Sequence, residues 1–260
     1  MSGAVVGVMA AQSIAAGGGS QGGAITWTTT GTGSAVAAVA THDVAFTAVT
    51  AGQKLLVFNT LRSSGPDTPT CDNSFAAPSG GSNSAGGGTW GFQTGPATAT
   101  VFEKTASGSE TGNAAVSWTN DSAAASAGFM ARLSGANAGW QASACSSGGF
   151  TSTASISVTG GASIDFLTND LLIAVLATNN ADGIGVTPTI SASGITFGTV
   201  AEYPATLSPV AAAGGNQGQL FVWAAAVSSG SGTVAPTAGI TWTEGTPSGC
   251  ITFIRIRNAA

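Results

Sequence analysis

The residues best suited to chemistry are few and far apart. His42 is the one histidine of the chain, so any Ser-His-Asp or Cys-His arrangement has to recruit it as the base. It stands in Ala40-Thr41-His42-Asp43-Val44, a strand edge or turn where a surface or hydrogen-bonded structural role is expected. Gly18-Gly19-Ser20-Gln21-Gly22 matches the nucleophile-elbow pattern, but that motif works only between a strand and a helix, and its flanks read as neither. Gly86-Gly87-Gly88-Thr89-Trp90-Gly91 has the spacing of a dinucleotide loop without the βαβ unit whose helix would hold a pyrophosphate. In a chain with 39 glycines, both matches are expected by chance.

Paired carboxylates fare no better. Cleaving a glycoside needs two acids about 5 to 10 Å apart. Asp67 and Asp72 share one loop and Asp121 and Asp182 stand in others, with no pattern that brings two together. Asn179-Asn180-Ala181-Asp182-Gly183 offers oxygens and a turn glycine but lacks the ligand spacing and bidentate acid of a calcium loop. Asn120-Asp121-Ser122 fits a glycosylation triplet, which matters only in a secreted chain. Cys71, Cys145 and Cys250 are an odd set without metal or redox spacing, read as small buried residues rather than a disulfide framework. The expectation is no catalytic residue, no cofactor and no metal ligand. Four tryptophans, Trp27, Trp118, Trp223 and Trp242, fall in strand patterns and read as core. Trp90 and Trp140 lie in Gly- or Ala-rich connections, where an aromatic ring can pack between domains or stack on a glycan or partner.

What would have to position these side chains is a β framework. Charged residues make up 7% of the chain, against roughly a quarter in ordinary soluble proteins. The six Lys and Arg cannot dress helix faces with ion pairs, whereas the abundant Thr, Val, Gly, Ala and Ser suit pleated strands and turns. A net charge of −5 with so few cations argues against a nucleic-acid partner. The longest strongly apolar run, residues 171–177, has the length of a buried strand rather than a membrane span, so no membrane partner is expected. Residues 1–16 lack the positive segment of an export signal.

The two halves also repeat. Leu55-Leu56-Val57 aligns with Leu171-Leu172-Ile173, each after a polar turn, at an offset of 116. Ala115-Val116-Ser117-Trp118-Thr119 aligns with Gly239-Ile240-Thr241-Trp242-Thr243 at 124, and Arg132 aligns with Arg255 in two closing strands at 123. Gly-Ser tails at 106–109 and 228–230 read as hairpin loops. The alternating strand at 154–158 has a weaker counterpart at 34–39. Residues 63–89 form the longest irregular stretch, and 194–200 an extra strand in its counterpart. The expected architecture is all-β: a Gly-rich N-terminal arm (1–24) followed by two tandem jelly-roll-like antiparallel β-sandwich domains, 25–140 and 141–260.

The second half carries a resemblance. Asp170-Leu171-Leu172-Ile173-Ala174-Val175, then Phe221-Val222-Trp223-Ala224-Ala225-Ala226, then Phe253-Ile254-Arg255-Ile256-Arg257-Asn258-Ala259 resembles jelly-roll modules of tailed-phage virion proteins. These segments encode strands and carry no active-site residues. The resemblance implies a non-enzymatic structural protein located in the virion, a capsid decoration, spike or tail accessory protein in a symmetric oligomer. Its implied partners are copies of itself and other virion proteins. The alternative expectation is a carbohydrate-binding adhesin that reads a host surface glycan with Trp90 or Trp140.

Overall fold

The computed structural model describes residues 12–13, 25–29, 33–37, 40–46, 49–62, 68–78, 80–85, 97–118, 125–135, 139–151, 153–178, 185–203, 210–211, 219–243 and 245–258. Among these residues the chain is all-β and every strand pairing is antiparallel. The first half contains β1 Gln12–Ser13, β2 Thr26–Thr29, β3 Ser34–Ala37, β4 Thr41–Phe46, β5 Lys54–Arg62, β6 Thr70–Cys71, β7 Ser82–Ala85, β8 Ala97–Thr105, β9 Gly112–Ser117 and β10 Ala125–Ser134. The second contains β11 Ala144–Phe150, β12 Ser155–Thr159, β13 Ile164–Phe166, β14 Leu171–Thr178, β15 Gly185–Ser191, β16 Thr196–Phe197, β17 Ala201–Tyr203, β18 Val210–Ala211, β19 Gln219–Ser229, β20 Gly232–Val234, β21 Thr237–Trp242 and β22 Gly249–Ile256.

Each half builds one large and one small sheet. The first large sheet runs β1-β2-β10-β5-β8-β7 with β3 also on β10, over a small sheet β4-β9-β6. The second runs β11-β22-β14-β19-β16 with β17 and β18 also on β19, over a small sheet β12-β21-β15. A ribbon of β13 and β20 adds to the second half.

The cores give the order of the layers. Val44, Leu55, Val57, Phe102, Val116 and Met130 fill the first sandwich. Ile156, Leu172, Phe221, Trp223, Ile240 and Phe253 fill the second. A third core joins the two large sheets to each other, with Trp27, Leu56, Phe58 and Phe129 from one half and Ile173, Val175, Tyr203 and Ile254 from the other. The stack is small sheet, large sheet, large sheet, small sheet. It explains why β5 and β14 are apolar without alternation. Leu55 and Val57 face their own sandwich while Leu56 and Phe58 face the shared core, so both strand faces are buried. Phe129, Phe58, Trp27 and Tyr203 make an aromatic run, with centroid separations of 5.1, 5.4 and 4.3 Å, that crosses from one half into the other. Such pairs contribute about 0.5–1.5 kcal/mol each beyond the area they bury. Alanines 97, 99, 127, 131, 177 and 224 let the large sheets approach closely enough for side chain-to-backbone bonds. Thr252 Oγ1 donates to the Ala99 carbonyl at 3.1 Å and Cys250 Sγ to that of Ala97 at 3.3 Å.

The repeat extends to single hydrogen bonds. Trp118 N–H donates to Ala40 O at 3.1 Å and Trp242 N–H to Ala154 O at 2.8 Å. Thr41 and Ser117 hydroxyls meet at 3.1 Å, as do those of Ser155 and Thr241. Register places Leu55 opposite Arg132 and Leu172 opposite Arg255, so Leu55 corresponds to Leu172, at an offset of 117. The expected alignment of Leu55 with Leu171 is therefore one residue out. A strand buried on both faces has no polar side to mark its phase, and a one-residue slip exchanges the two faces.

Other expectations are corrected too. The counterpart of β12 is β4 rather than residues 34–39, because β4 pairs β9 as β12 pairs β21. The Gly-Ser segments are not hairpin loops: the first joins β8 to β9 of the small sheet, and the second joins β19 to β20 of the separate β13–β20 ribbon, so neither links two paired strands. At the first of these, Ser107 N, Ser107 Oγ and Gly108 N all donate to the Glu110 carboxylate. The long stretch 63–89 contains two strands, β6 and β7. Trp27, Trp118, Trp223 and Trp242 are buried as expected, and all three cysteines are free.

Candidate functional site at the seam between the halves

The polar turn before each central strand is the same structure built twice. In the first half Gln53 N–H bonds Thr50 O at 3.2 Å and Thr50 N–H bonds Gln53 Oε1 at 2.8 Å. In the second Asp170 N–H bonds Leu167 O at 3.1 Å and Leu167 N–H bonds Asp170 Oδ2 at 2.7 Å. Both turns need a left-handed residue, Gly52 (φ 83°) and Asn169 (φ 72°), the two types that adopt it most easily.

What each turn then binds is different. Gln53 Nε2 donates to Ser134 Oγ at 3.0 Å, a neutral pair near the surface. At the matching positions Arg257 grips Asp170 with two bonds, Nε to Oδ1 at 2.7 Å and Nη2 to Oδ2 at 2.6 Å. Arg257 Nη1 also reaches Asp165 Oδ2 at 3.0 Å. The Asp170 hydrogen bonds hold the Arg257 guanidinium above its ordinary pKa against the opposing effect of burial. Leu167, Thr168, Asn169, Asp170, Arg257 and Asn258 line a small polar cleft here. Neither carboxamide atom of Asn258 has a hydrogen-bond partner.

Trp140, one of the two aromatic candidates, stands at the seam. Its indole N–H donates to Gly52 O at 2.7 Å, and its backbone bridges to Asn258. The ring is partly buried against the shared core. It is bonded to the turn of one half and the closing strand of the other, and only part of its surface remains for a ligand. Beside it, Lys54 Nζ pairs with Glu103 Oε2 at 2.7 Å, and the same oxygen accepts the Ser143 hydroxyl from the second half. Trp90, the other candidate, lies outside the described residues.

His42 sits inside the first sandwich, 1% exposed. Its Nε2 is 2.8 Å from Ser34 Oγ and its Nδ1 2.9 Å from Ser126 Oγ. Asn59 Nδ2 donates to Ser126 Oγ at 2.7 Å. Burial pushes the imidazole pKa down to about 4, against a smaller upward pull from Asp43. This is the hydrogen-bonded structural histidine. Asp72 accepts from Ala115 N and Asn73 Nδ2, a turn-holding role. Asp67, Asp121, Asp182, the Asn179–Gly183 loop and both glycine motifs fall outside the described residues. Among the described residues, no cluster of three His, Cys, Asp or Glu side chains could hold a metal. The Arg257–Asp170 grip was missed in sequence, although the polar turn before a strand and the arginines of the closing strand were each visible.

No match emerges among protein-family models, curated proteins or solved structures. The functional reading therefore rests on this chain's own geometry.

Proposed function

We propose that this chain is a non-enzymatic structural protein of a tailed-phage virion, a capsid decoration, spike or tail accessory protein that assembles as a symmetric oligomer. The observation that carries the reading is the chemistry of the two outward sheets. Ser155, Ser157, Thr159, Thr237 and Thr241 face out from the second small sheet, with Thr41, Asp43 and Ser117 at matching places on the first. Short hydroxyl side chains lose little conformational entropy when a neighbour covers them, and an almost uncharged face carries little desolvation penalty. The four-layer stack sets two such faces at opposite ends, so one chain can touch two neighbours.

The strand order supports the jelly-roll reading of each half. With the principal strands numbered one to eight along the chain, the large sheet interleaves first, eighth, third and sixth and the small sheet second, seventh and fourth, in both halves. Electron microscopy of the concentrated protein tests the proposal: closed rings or clusters of fixed copy number support it, and single particles of one chain count against it.

The partly exposed ring of Trp140 favours a second reading, a carbohydrate-binding adhesin. Glycan-array binding that disappears in Trp140→Ala or Trp90→Ala, with the fold intact, would select that reading.

A further inference from the structure

The two halves are matched closely enough for their differences to be informative, and one difference is concentrated at a single place. Register pairs Ser34 with Gly148, His42 with Ile156, Asn59 with Leu176 and Ser126 with Gly249. The second sandwich has no polar side-chain atom at any of the four positions. The first has a continuous chain of hydrogen bonds there, from β3 through β4 to β10 and β5, tying its small sheet to its large one. Gly128, the counterpart of Ile251, makes the room: a Cβ there would lie 3.3 Å from Asn59 Nδ2 and 3.0 Å from Val44 Cγ2.

In a neutral imidazole one ring nitrogen donates and the other accepts. His42 therefore donates to one of the Ser34 and Ser126 hydroxyls and accepts from the other, while Asn59 Nδ2 donates to Ser126 Oγ. An imidazolium has N–H on both nitrogens. The hydroxyl that donates to the neutral ring would lose its acceptor, and a charge would be buried with no anion bonded to it.

We propose that the Ser34–His42–Ser126–Asn59 relay is an acid-sensitive latch confined to the first sandwich. Protonation of His42 frees β4 from β5 and β10, while the second sandwich, hydrocarbon at the same positions, stays closed. The groups around the imidazole offer no compensating anion among the described residues. Asp43, next to it on β4, is the one charge that pulls its pKa upward, and its side chain faces outward. β3 contributes Ser34, β5 Asn59, β10 Ser126 and Gly128, and the neighbouring β9 Val116, none of them ionisable in this range. Arg62 projects from the opposite face of β5, and Arg132 stands at the far end of β10. The latch is independent of the virion reading.

Hydrogen exchange on the full chain, corrected for the intrinsic effect of pH, tests the latch. Between the free-histidine value of 6.5 and about 4, the opening equilibrium of β4, β5, β9 and β10 should rise up to ~10-fold per pH unit, roughly 300-fold in all, with β12, β14, β21 and β22 unchanged. His42→Gln, whose amide can donate to one hydroxyl and accept from the other without titrating, should flatten that response. As the chain's one histidine, His42 also gives a single ring titration by NMR in the unaltered protein. Loss of protection in both halves together, or a ring that titrates like a free histidine, overturns the proposal.

Discussion

Gly135 and Asn258 close their respective halves at equivalent positions, and they touch each other. A Cβ placed on Gly135 would lie 2.0 Å from Asn258 Nδ2 and 2.7 Å from its Cγ. The packing around them is reciprocal, as a local two-fold axis requires: β8 lies against β14 and β22, and its counterpart β19 lies against β5 and β10. The chain is thus a covalently joined pseudo-dimer with a self-complementary interface, each large sheet covering its twin. Gly135→Ala should destabilise by about 1–3 kcal/mol, because the buried carboxamide has little room to give. Gly135→Asn combined with Asn258→Gly, which exchanges the pair across the axis, should recover most of the loss in urea melts.

Trp140 bonds the linker to the first half through one N–H. Trp140→Phe keeps most of the ring and removes the bond to Gly52 O, so it should lower stability by about 1 kcal/mol. Trp140→Ala also leaves a gap against the shared core and should cost about 3–5 kcal/mol. Similar losses from both variants would mean that the ring adds nothing to the seam.

The Arg257–Asp170 pair is 2.6 Å long, with the Asp170 side chain 1% exposed. Arg257→Ala strands the buried Asp170 carboxylate and should destabilise by about 3–5 kcal/mol, whereas Asp170→Asn leaves Arg257 its bond to Asp165 and should cost less. Installing the first half's solution, Asp170→Gln with Arg257→Ser, should be much milder than either. A double-mutant cycle by urea denaturation measures the coupling.

Residues 72–75 form a tight turn in which Asn73 (φ 55°) and Ser74 (φ 63°) are both left-handed and Phe75 N–H closes on Asp72 O at 3.1 Å. This geometry favours glycine at its second central position. Ser74→Gly should raise stability by about 0.5–1 kcal/mol, read as a higher midpoint in a thermal melt.

His42 sets an acid limit on the first half. Its folded pKa, about 4, lies below the ordinary 6.5, so the unfolded chain takes up the proton first. Its contribution to stability is complete above 6.5, declines as pH falls through that window, and is gone below about 4. The total is on the order of 3 kcal/mol. Urea midpoints across this range should slope for the unaltered chain and lose that slope in His42→Gln.

The parts legible in sequence were those fixed by local pattern. The Trp118 and Trp242 strands could be aligned because each alternates small polar and apolar residues, having one face in a core and one in solvent. Leu55 could not be phased against Leu171 or Leu172, because both faces of its strand are buried and the run Leu55–Phe58 is apolar throughout. The Gly-Ser tails announced turns but not that the chain changes sheets there. The relay around His42 was invisible for another reason: Asn59 and Ser126 lie far from it in sequence, Ser34 stands on a different sheet, and the four become neighbours only when two sheets close. Trp140 stood out as an aromatic in a connection, able to pack between domains or stack on a ligand, yet its partner, the Gly52 carbonyl, carries no side-chain signal.

The proposal that this chain works by symmetric self-assembly is tested most directly by light scattering of the full-length protein across a range of concentrations. The account predicts a stable species of two or more 24.9 kDa chains, with one copy number throughout. A mass of 24.9 kDa at every concentration would contradict it.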